Sequence, residues 1–336
     1  MQTHILTADD IDRVVALLKN GELVIVPTET VYGLGVRCDR EEAVDRIFRV
    51  KGRPQDNPLI VHVSSIDMAD RYAYVDEFAE RLFTRFAPGP LSLVLPARDT
   101  VAVNVRAGLP TVAIRIPGHP LTRRIIEQAD VGLAAPSANQ SGRPSPTTAS
   151  SALSEMKGRV SAVLDGGPCE LGIESTVLVV EQRIPRILRP GRVTMEEICD
   201  CLSCPNPLYR KQSAAETLTS VNEAAASPGT RHVHYRPDAE VIAVESVSSI
   251  RSVRVDSKRD CMFCMNAKLA AVFRLRGGDQ AGLRYATDVQ TYEFNLYEWF
   301  FEAERSGYTR IFVELPPESP TTQGLRDRIF RASGSV

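Results

Sequence analysis

The stretch GELVIVPTETVYGLGVR, residues 21–37, decides the fold class. Residues 9–20 before it carry apolar side chains at helical spacing, and Gly21 ends that helix. Residues 23–26 are a short run of apolar residues that predicts a buried strand, and a polar segment marked by proline and glycine follows at 27–35. A helix, a buried strand and a polar loop in this order predict an α/β layered structure.

The same alternation continues to about residue 200. A capping box formed by Asp39 and Glu42 predicts a helix that Gly52 and Pro54 end. Further strands are predicted at residues 59–63, 91–95, 112–116, 131–135, 160–164 and 176–180, with helices near 76–86, 119–129 and 148–157. The pattern favours a mixed sheet covered by helices.

The composition changes at residues 203–240, which are rich in serine, proline, alanine, asparagine and threonine and lack a sustained apolar face. This segment predicts a linker. Strands are predicted after it at 241–244, 269–275 and 311–315, and helices at 291–305 and 321–332. We therefore expect a first α/β domain at 1–202, a linker at 203–240 and a smaller α/β domain at 241–336.

The composition excludes several classes of protein. With 336 residues, 43% hydrophobic and 24% charged, the chain has the values of a globular protein and not those of a disordered, collagenous or coiled-coil chain. The net charge of −2 argues against a strong overall field for nucleic acid. No apolar run approaches the ~18 residues that span a bilayer. The N-terminus resembles neither a signal nor a transit peptide, so we expect a cytoplasmic protein without membrane contact.

Seven cysteines raise the question of a metal site. Cys201 with Cys204, and Cys261 with Cys264, have the C-x-x-C spacing of zinc ligands. The two pairs are farther apart than in a compact zinc ribbon, and cysteine also serves as a small apolar residue. The sequence leaves structural zinc and incidental cysteines as alternatives, with the second favoured.

Polar segments placed after the predicted strands carry the chemistry. They are residues 27–35, 51–58, 115–117, 135–142, 174–177 and 188–191. Ligands of open α/β sheets bind beyond the carboxyl ends of strands. The segments supply hydroxyls, amides and four cations but few carboxylates, which suits a polyanionic ligand; the cations are Lys51, Arg53, Arg115 and Arg189.

Each segment alone also has a structural explanation, as a turn, a helix end or an ordinary loop. Neither a Walker A pattern nor a G-x-G-x-x-G pattern is present. The residues by themselves therefore predict an anion-binding α/β protein, for which a nucleotide enzyme is one possibility.

The ordered combination of segments is more specific. Residues 21–192 closely resemble the YrdC-like family of threonylcarbamoyl-AMP synthases, through PTETVYGLG, KGRPQDNPLIVH, PGPLSLVLP, TVAIRIP, APSANQSGRPSPT, ESTVL and LRPG in the family order. The segment SPGTRHVHYRP at 227–237 is similar to the linker of the two-domain form. The resemblance implies a YrdC-like twisted mixed-sheet catalytic domain, a linker, and a smaller Rossmann-like α/β domain.

The resemblance also implies an activity. Family members condense L-threonine, bicarbonate or carbon dioxide, and ATP to threonylcarbamoyl-AMP and release pyrophosphate. Mg²⁺ is the expected counter-ion, held mainly through the substrate phosphates. Downstream proteins transfer the threonylcarbamoyl group to tRNA, and weak contact of this chain with tRNA or double-stranded RNA is a further expectation.

Site residues follow from the motif positions. The expected threonine pocket is Thr30, His62, Arg115, Ala135 and Ser175. The expected ATP site is Arg53, Asn57, Thr111, Ser137, Ser145, Arg189 and Tyr235. Lys51 and Arg53 are expected to supply charge at the reaction centre, which Tyr32 and Asn139 border. No metal ligand is expected from the side chains, and without the motif His62 would be an ordinary strand histidine.

The linker has its own predicted role. The resemblance suggests that it folds over the catalytic cavity, with Tyr235 reaching the nucleotide, and a truncation near residue 205 is then expected to impair activity. His232 and His234 leave two alternatives, a metal pair or an ordinary exposed strand.

Two other functions compete with the synthase. One is a module that binds RNA through local cations at 46–53 and 115–124, and its affinity should fall steeply with salt. The other is a carbamoyl-transfer enzyme built on the same domain. Pyrophosphate release that depends on threonine would favour the synthase over both.

Overall fold

The computed structural model describes residues 2–204, 234–251 and 253–334, and their strands form two separate sheets. The first sheet has ten strands in the order β1-β8-β2-β3-β7-β4-β6-β5-β9-β10. Its strands are β1 His4–Leu6, β2 Val24–Val26, β3 Gly33–Arg37, β4 Ile60–His62, β5 Leu91–Pro96, β6 Thr111–Arg115, β7 Leu133–Ala134, β8 Ala162–Leu164, β9 Thr176–Glu181 and β10 Ile184–Arg189. It is mixed, because β4 runs parallel to β6 while β5 runs antiparallel to it.

Amphipathic helices cover the first sheet. They are α1 Ile11–Lys19, α2 Glu41–Lys51, α3 Ile66–Asp70, α4 Glu77–Phe86, α5 Pro120–Ala129, α6 Ala149–Met156 and α7 Met195–Leu202, and a 3₁₀ turn at Ala8–Asp10 precedes α1. Each of these helices buries residues against the sheet or a neighbouring helix; α1, for example, buries Ile11, Val14, Val15 and Leu18. Spacing of this kind places apolar residues on one helical face, as the sequence predicts.

The second sheet is smaller and entirely parallel, in the order β11-β14-β12-β13. Its elements are β11 Glu240–Val244, α8 Val247–Arg251, β12 Asp260–Cys264, α9 Ala267–Leu275, β13 Leu283–Tyr285, α10 Val289–Arg305, β14 Arg310–Glu314, a 3₁₀ turn at Pro320–Thr322 and α11 Gln323–Ser333. Parallel strands joined by helices are the Rossmann-like arrangement. The predicted fold class, a mixed-sheet unit followed by a smaller α/β unit, is confirmed.

Two local predictions are wrong. Residues 269–275, predicted as a strand, belong to α9, because the side chain of Asn266 caps the helix at Lys268 and the alanine-rich run buries Leu269, Ala270 and Phe273 at helical spacing. The capping box at Asp39 does not form either. Arg40 is the N-cap of α2, and the Asp39 carboxylate instead pairs with Arg37 at 2.6 Å.

The predicted linker is described only in part, since residues 205–233, including His232, lie outside the described residues. The elements up to Leu202 pack on the core of the first sheet, and β11 begins at Glu240. The exact domain boundaries stay a prediction. Among the described residues no helix is long and apolar enough to cross a membrane.

The two units are in close contact. A side chain at Gly172, whose φ is +80°, would place its Cβ 2.3 Å from the carbonyl oxygen of Glu293 on α10. Arg143 of the first unit donates to Glu304 of α10 at 2.8 Å. Val31 and Tyr235 belong to the apolar cluster that covers the second sheet. This close approach brings α10 and α11 against the loops that carry the predicted site.

Candidate active site

Three of the predicted polar segments are joined by hydrogen bonds. The Leu34 amide donates to the Pro136 carbonyl at 2.7 Å, and the Ala138 amide donates to the Tyr32 carbonyl at 2.8 Å. The buried Lys51 ammonium donates to the Ser137 carbonyl at 2.5 Å and also to the Asn139 carbonyl. These bonds fix the segments 27–35, 51–58 and 135–142 against one another.

A cavity of about 60 Å³ lies between these segments. Its lining residues come from the first unit and from the end of the linker; they are Thr28, Val31, Gly33, Arg53, Leu59, Ile60, His62, Arg115, Ala135, Pro136, Ser137, Asn139, Glu174, Arg189, His234 and Tyr235. Ten of these sixteen residues have polar or charged side chains, which is unusual for a buried surface unless a ligand uses them.

The cavity brings together most of the predicted site residues. Those that line it are Arg53, His62, Arg115, Ala135, Ser137, Asn139, Arg189 and Tyr235. Those whose side chains bond to a lining residue are Thr30, Lys51, Asn57, Ser145 and Ser175. The catalytic and binding roles of all these residues stay predictions.

Two further predicted residues, Tyr32 and Thr111, are in neither group. The Tyr32 ring is fully buried, and its hydroxyl donates to the Gly167 carbonyl at 2.6 Å and accepts from the Gly166 amide at 3.2 Å. A hydroxyl satisfied in this way braces a turn, and the place of Tyr32 at the border of the reaction centre stays a prediction. Thr111 begins β6, at the opposite end of the strand from Arg115.

The prediction that each polar segment follows a strand is wrong for two segments, 51–58 and 174–177. Lys51 ends the helix α2, and Arg53 follows it after Gly52 adopts the left-handed conformation with φ 61°. Ser175 precedes β9 and meets Arg189 at the end of β10, because these two strands are antiparallel. In a mixed sheet the ends and beginnings of strands share an edge.

A buried ion pair holds Arg115. Its Nη2 donates to Glu29 Oε1 at 2.7 Å and to the Thr30 hydroxyl at 2.9 Å. The other Glu29 oxygen accepts from the Gly118 amide at 2.8 Å. Glu29 is a site residue that the sequence reasoning missed, although it is the only carboxylate of its motif, PTETVYGLG.

Arg53 and Lys51 are both buried cations. Arg53 donates through Nη2 to Asn57 Oδ1 at 2.6 Å and to the Pro58 carbonyl at 2.9 Å, which orients its guanidinium along the cavity. Burial lowers the pKa of Arg53 to about 10, which leaves it charged at neutral pH. Burial, reinforced by the charge of Arg53, holds the pKa of Lys51 well below its ordinary value.

Arg189 is held at the edge where β9 and β10 meet. Its Nη2 donates to the Ser175 carbonyl at 3.0 Å and to the Ser175 hydroxyl at 3.1 Å. The Ser175 hydroxyl also shares a 2.8 Å hydrogen bond with that of Ser92. Three arginines, Arg53, Arg115 and Arg189, thus line one cavity from separate parts of the fold.

Three buried polar atoms of the lining have no hydrogen-bond partner among the described residues. They are Nδ1 of His62, Oδ1 of Asn139 and Nε2 of His234. Buried polar groups are nearly always paired in folded proteins. Their convergence on one cavity is typical of a site that receives a polar ligand.

The environment of His62 predicts a pH effect on stability. Burial, with the charge of Arg115, lowers the pKa of His62 to about 3. Histidine in the unfolded chain has a pKa of about 6.5, so between the two pKa values the unfolded chain binds a proton that the folded chain does not bind. The stabilisation is complete above pH 6.5 and is lost as the pH falls, by about 2 kcal/mol at pH 5.

We therefore expect His62→Gln to lose less stability than the parent between pH 7.5 and pH 5. Urea unfolding at both pH values measures the difference, and His234 remains in both proteins as an internal reference. An identical loss of unfolding free energy in parent and variant would refute the buried, neutral state of His62.

Glu174 lines the cavity and is a second carboxylate that was not predicted as a site residue. Its Oε1 accepts the Ser145 hydroxyl at 2.5 Å, and its Oε2 accepts from Arg328 of α11 at 2.7 Å and from the Tyr297 hydroxyl of α10 at 3.1 Å. Burial alone would raise the pKa of Glu174, but the charges of Arg328 and Arg189 outweigh it and lower the pKa.

The described residues do not form a metal cage. No group of three or more histidine, cysteine or acidic side chains within them is placed to hold a metal ion. All four carboxylate oxygens of Glu174, which lines the cavity, and of Glu29, which pairs with Arg115 of the lining, already accept hydrogen bonds. Cys261 and Cys264 are buried on β12, whereas Cys201 and Cys204 lie at the end of α7 on the first unit.

Two protein-family models match the chain. The model of the Sua5–YciO–YrdC family, described as telomere recombination, matches residues 16–191. A model described as the C-terminal domain of threonylcarbamoyl-AMP synthase matches residues 193–334. Together they span both sheets.

Similar proteins match over nearly the whole chain. Threonylcarbamoyl-AMP synthase of Bacillus subtilis is 36% identical, covering 95% of this chain and 91% of that protein. The Pyrococcus abyssi protein of the same name is 37% identical, covering 94% and 92%. The crystal structure of P. abyssi Sua5 complexed with L-threonine matches with a TM-score of 0.86 and 33% identity, covering 99% of this chain and 98% of that one.

The predicted resemblance is thus confirmed along both units, including the second one, for which the sequence motifs are weakest. The chain belongs to the Sua5–YciO–YrdC family, in the two-domain form that carries a threonylcarbamoyl-AMP synthase C-terminal domain.

Proposed function

We propose that the protein is an L-threonylcarbamoyladenylate synthase that joins L-threonine, bicarbonate or carbon dioxide, and ATP, and releases pyrophosphate. The observation that carries the proposal is the charge of the cavity. Three arginines line it, while Glu174 of the lining, and Glu29, which pairs with Arg115, are already engaged by protein donors. Such a cavity suits the carboxylate of an amino acid together with a triphosphate.

The reaction has two bond-forming steps. The threonine amine attacks carbon dioxide and loses a proton, or it condenses with bicarbonate and releases water, and either route gives a carbamate. A carbamate oxygen then attacks the α-phosphorus of ATP, and pyrophosphate leaves. Because anions meet in both steps, positioning and electrostatic stabilisation by fixed cations supply most of the rate enhancement that the protein can offer.

Threonine would occupy the end of the cavity near Arg115. A guanidinium binds a carboxylate with two parallel hydrogen bonds, which makes Arg115 the partner for the threonine carboxylate. His62 lies opposite Arg115 in the register of β4 and β6. Its neutral ring would accept a hydrogen bond from a donor group of the substrate L-threonine. The P. abyssi relative is described with L-threonine bound, which supports this substrate.

ATP would extend from the reaction centre toward Arg53 and Arg189. Arg53 is oriented by Asn57, and Arg189 by Ser175, so both guanidinium groups are fixed before the phosphates arrive. Lys51 holds the loop that carries Ser137 and Asn139 through two backbone carbonyls. Preorganised donors of this kind stabilise developing negative charge without reorganisation.

Mg²⁺ would enter with ATP, since the lining offers no carboxylate oxygen without a hydrogen bond among the described residues. When bound, the ion would neutralise phosphate charge. The side chains of the described residues do not fit a dedicated magnesium cage.

The end of the linker covers the cavity. Tyr235 is buried, stacks on Tyr297 with ring centroids 5.7 Å apart, and has a φ of 68°, which is a strained value for a tyrosine. A cavity of about 60 Å³ is far smaller than the roughly 300–1,000 Å³ of small-molecule pockets. We propose that residues 234–239 withdraw to admit ATP and close again to exclude water from the carbamate and the adenylate.

Tyr235→Ala is therefore expected to raise the pyrophosphate released per threonylcarbamoyl-AMP recovered. We expect this ratio to rise by at least about tenfold. A tenfold rise corresponds to a loss of ~1.4 kcal/mol in the discrimination against attack by water. Both products are quantified in one reaction by chromatography. Tyr285→Ala, at a half-exposed tyrosine of the second sheet, is the matched control. An unchanged ratio with unchanged kcat in Tyr235→Ala would contradict the covering role.

Pyrophosphate release tests the proposed function. The rate with ATP should require both L-threonine and bicarbonate, and it should fall to background when either is omitted. The RNA-binding alternative predicts no such release, and the carbamoyl-transfer alternative predicts release that needs a carbamoyl donor and not threonine. Bicarbonate as a substrate, the downstream tRNA-modifying proteins and a cytoplasmic site of action belong to this proposal.

A further inference from the structure

The second unit contributes a fully buried cation that pairs with a residue of the cavity wall. Arg328, on α11, has no exposed side-chain surface and donates through Nε to Glu174 Oε2 at 2.7 Å. Its Nη1 donates to the Pro190 carbonyl at 3.0 Å and to Asp327 at 2.7 Å. Arg328 thus crosses between the units to reach a residue that lines the cavity.

The same cation supports the covering segment. The guanidinium carbon of Arg328 lies 5.2 Å from the ring centroid of Tyr235, within the range of a cation–π contact. Tyr297, which stacks on Tyr235, also donates to Glu174. Glu174 and Tyr235 are therefore held by the same two side chains of the second unit.

Glu174 poses an electrostatic problem for a site that must receive a triphosphate. An unpaired carboxylate at this wall would repel the phosphates, and its burial would be costly without a partner. Its hydrogen bond from Ser145, one of the residues predicted to hold ATP, ties its orientation directly to the nucleotide site.

We propose that Arg328 is a positioning residue of the ATP site, which neutralises and orients Glu174 so that the second unit completes the pocket of the first. The inference rests on the proposed function and assigns a specific task to the second unit. Arg328 acts through Glu174 and is not itself a lining residue.

The charge of Glu174 distinguishes the proposed role of Arg328 from a merely structural one, because only the proposed role makes ATP binding depend on the protonation of Glu174. The titratable and charged groups that face Glu174 are Arg328 on α11, Arg189 on β10, Tyr297 on α10, and His234 and Tyr235 from the linker. When Arg328 is removed, burial dominates and the Glu174 carboxyl takes up a proton at a higher pH than in the parent. ATP binding should then recover as the pH falls.

The variants are Arg328→Met, Glu174→Gln and the double variant, with Arg326→Met as the control. Arg326 lies on the same helix, and it donates to the Pro316 carbonyl and lies over the Phe330 ring, both of which belong to its own unit. The Kd for ATP is measured on the full chain by equilibrium dialysis at pH 6.5 and pH 8.5, and melting temperatures report folding.

We expect Arg328→Met to raise the Kd for ATP by at least about tenfold at pH 8.5 and by less at pH 6.5. The double variant should bind ATP within about threefold of Glu174→Gln, because the uncompensated charge is gone. If Arg328→Met does not fold, the double variant still carries the test, since it buries no unpaired carboxylate.

Three results would overturn the proposal. They are parent-like ATP binding in Arg328→Met, a loss of affinity that is the same at both pH values, and a double variant that binds as weakly as Arg328→Met. Because dialysis needs no turnover, a protein that binds ATP in the expected pattern but forms no threonylcarbamoyl-AMP would reject the proposed function and leave the role of Arg328 intact.

Discussion

Arg53→Met is expected to lower kcat/KM for ATP by about 10²–10³-fold, the effect of removing one preorganised donor from developing negative charge. Arg53 stays charged although it is buried, and Asn57 and Pro58 hold its Nε and Nη2 edge in place. The loss should fall mainly on kcat if Arg53 meets the transition state, and on KM if it only binds ATP.

Two controls separate this effect from damage to the fold. Arg49→Met removes an exposed arginine from the same helix region, α2, and should retain parent activity. Arg53→Lys keeps the charge but loses the planar fork that Asn57 orients, so intermediate activity is expected. Parent-like kcat/KM in a folded Arg53→Met protein would remove Arg53 from the site.

Arg115→Met is expected to reduce the free energy of unfolding by about 3–5 kcal/mol, since it leaves a buried carboxylate without its partner. Glu29 is 6% exposed and Arg115 is 4% exposed, so water cannot replace the lost cation. Threonine-dependent turnover should also disappear, because Arg115 is the proposed partner of the threonine carboxylate.

The double variant Glu29→Gln/Arg115→Met distinguishes the two consequences. It buries no unpaired charge and should recover part of the lost stability, while threonine-dependent turnover stays absent. Urea unfolding and pyrophosphate release measure the two properties separately. A double variant as unstable as Arg115→Met, or one that turns over threonine normally, would contradict the dual role of Arg115.

Most of the fold could be predicted because its signals are local. The helix Glu77–Phe86 and the strand Leu91–Pro96 follow from periodicity and from the turn between them. The prediction of a strand at residues 269–275 is wrong because the periodicity of a short apolar run fits a buried strand and a buried helix equally well. The Asn266 cap decided in favour of the helix.

The site was less predictable than the fold, because its decisive contacts join distant residues. Glu29 and Arg115 are 86 positions apart, and Glu174 and Arg328 are 154 apart. Motifs identify residues that line the cavity, such as Arg53, but a buried partner from another unit leaves no local pattern. The arginine Arg328 looks in sequence like one face of an ordinary amphipathic helix.

The two-domain architecture gains a physical rationale from these contacts. The sequence of residues 241–336 shows no catalytic constellation, yet α10 and α11 supply the groups that hold Glu174 and Tyr235. A truncation that removes the second unit would leave Glu174 without two of its donors. The predicted loss of activity on truncation near residue 205 then has a cause beyond the covering segment.

Direct detection of the adenylate tests the central claim. The protein is incubated with ATP, Mg²⁺ and ¹⁴C-labelled bicarbonate, with and without L-threonine, and the nucleotides are separated rapidly by chromatography. We predict a labelled species with the mass of threonylcarbamoyl-AMP that forms only with threonine and in step with pyrophosphate. Labelled nucleotide that forms without threonine, or pyrophosphate release without any labelled adenylate, would contradict the account.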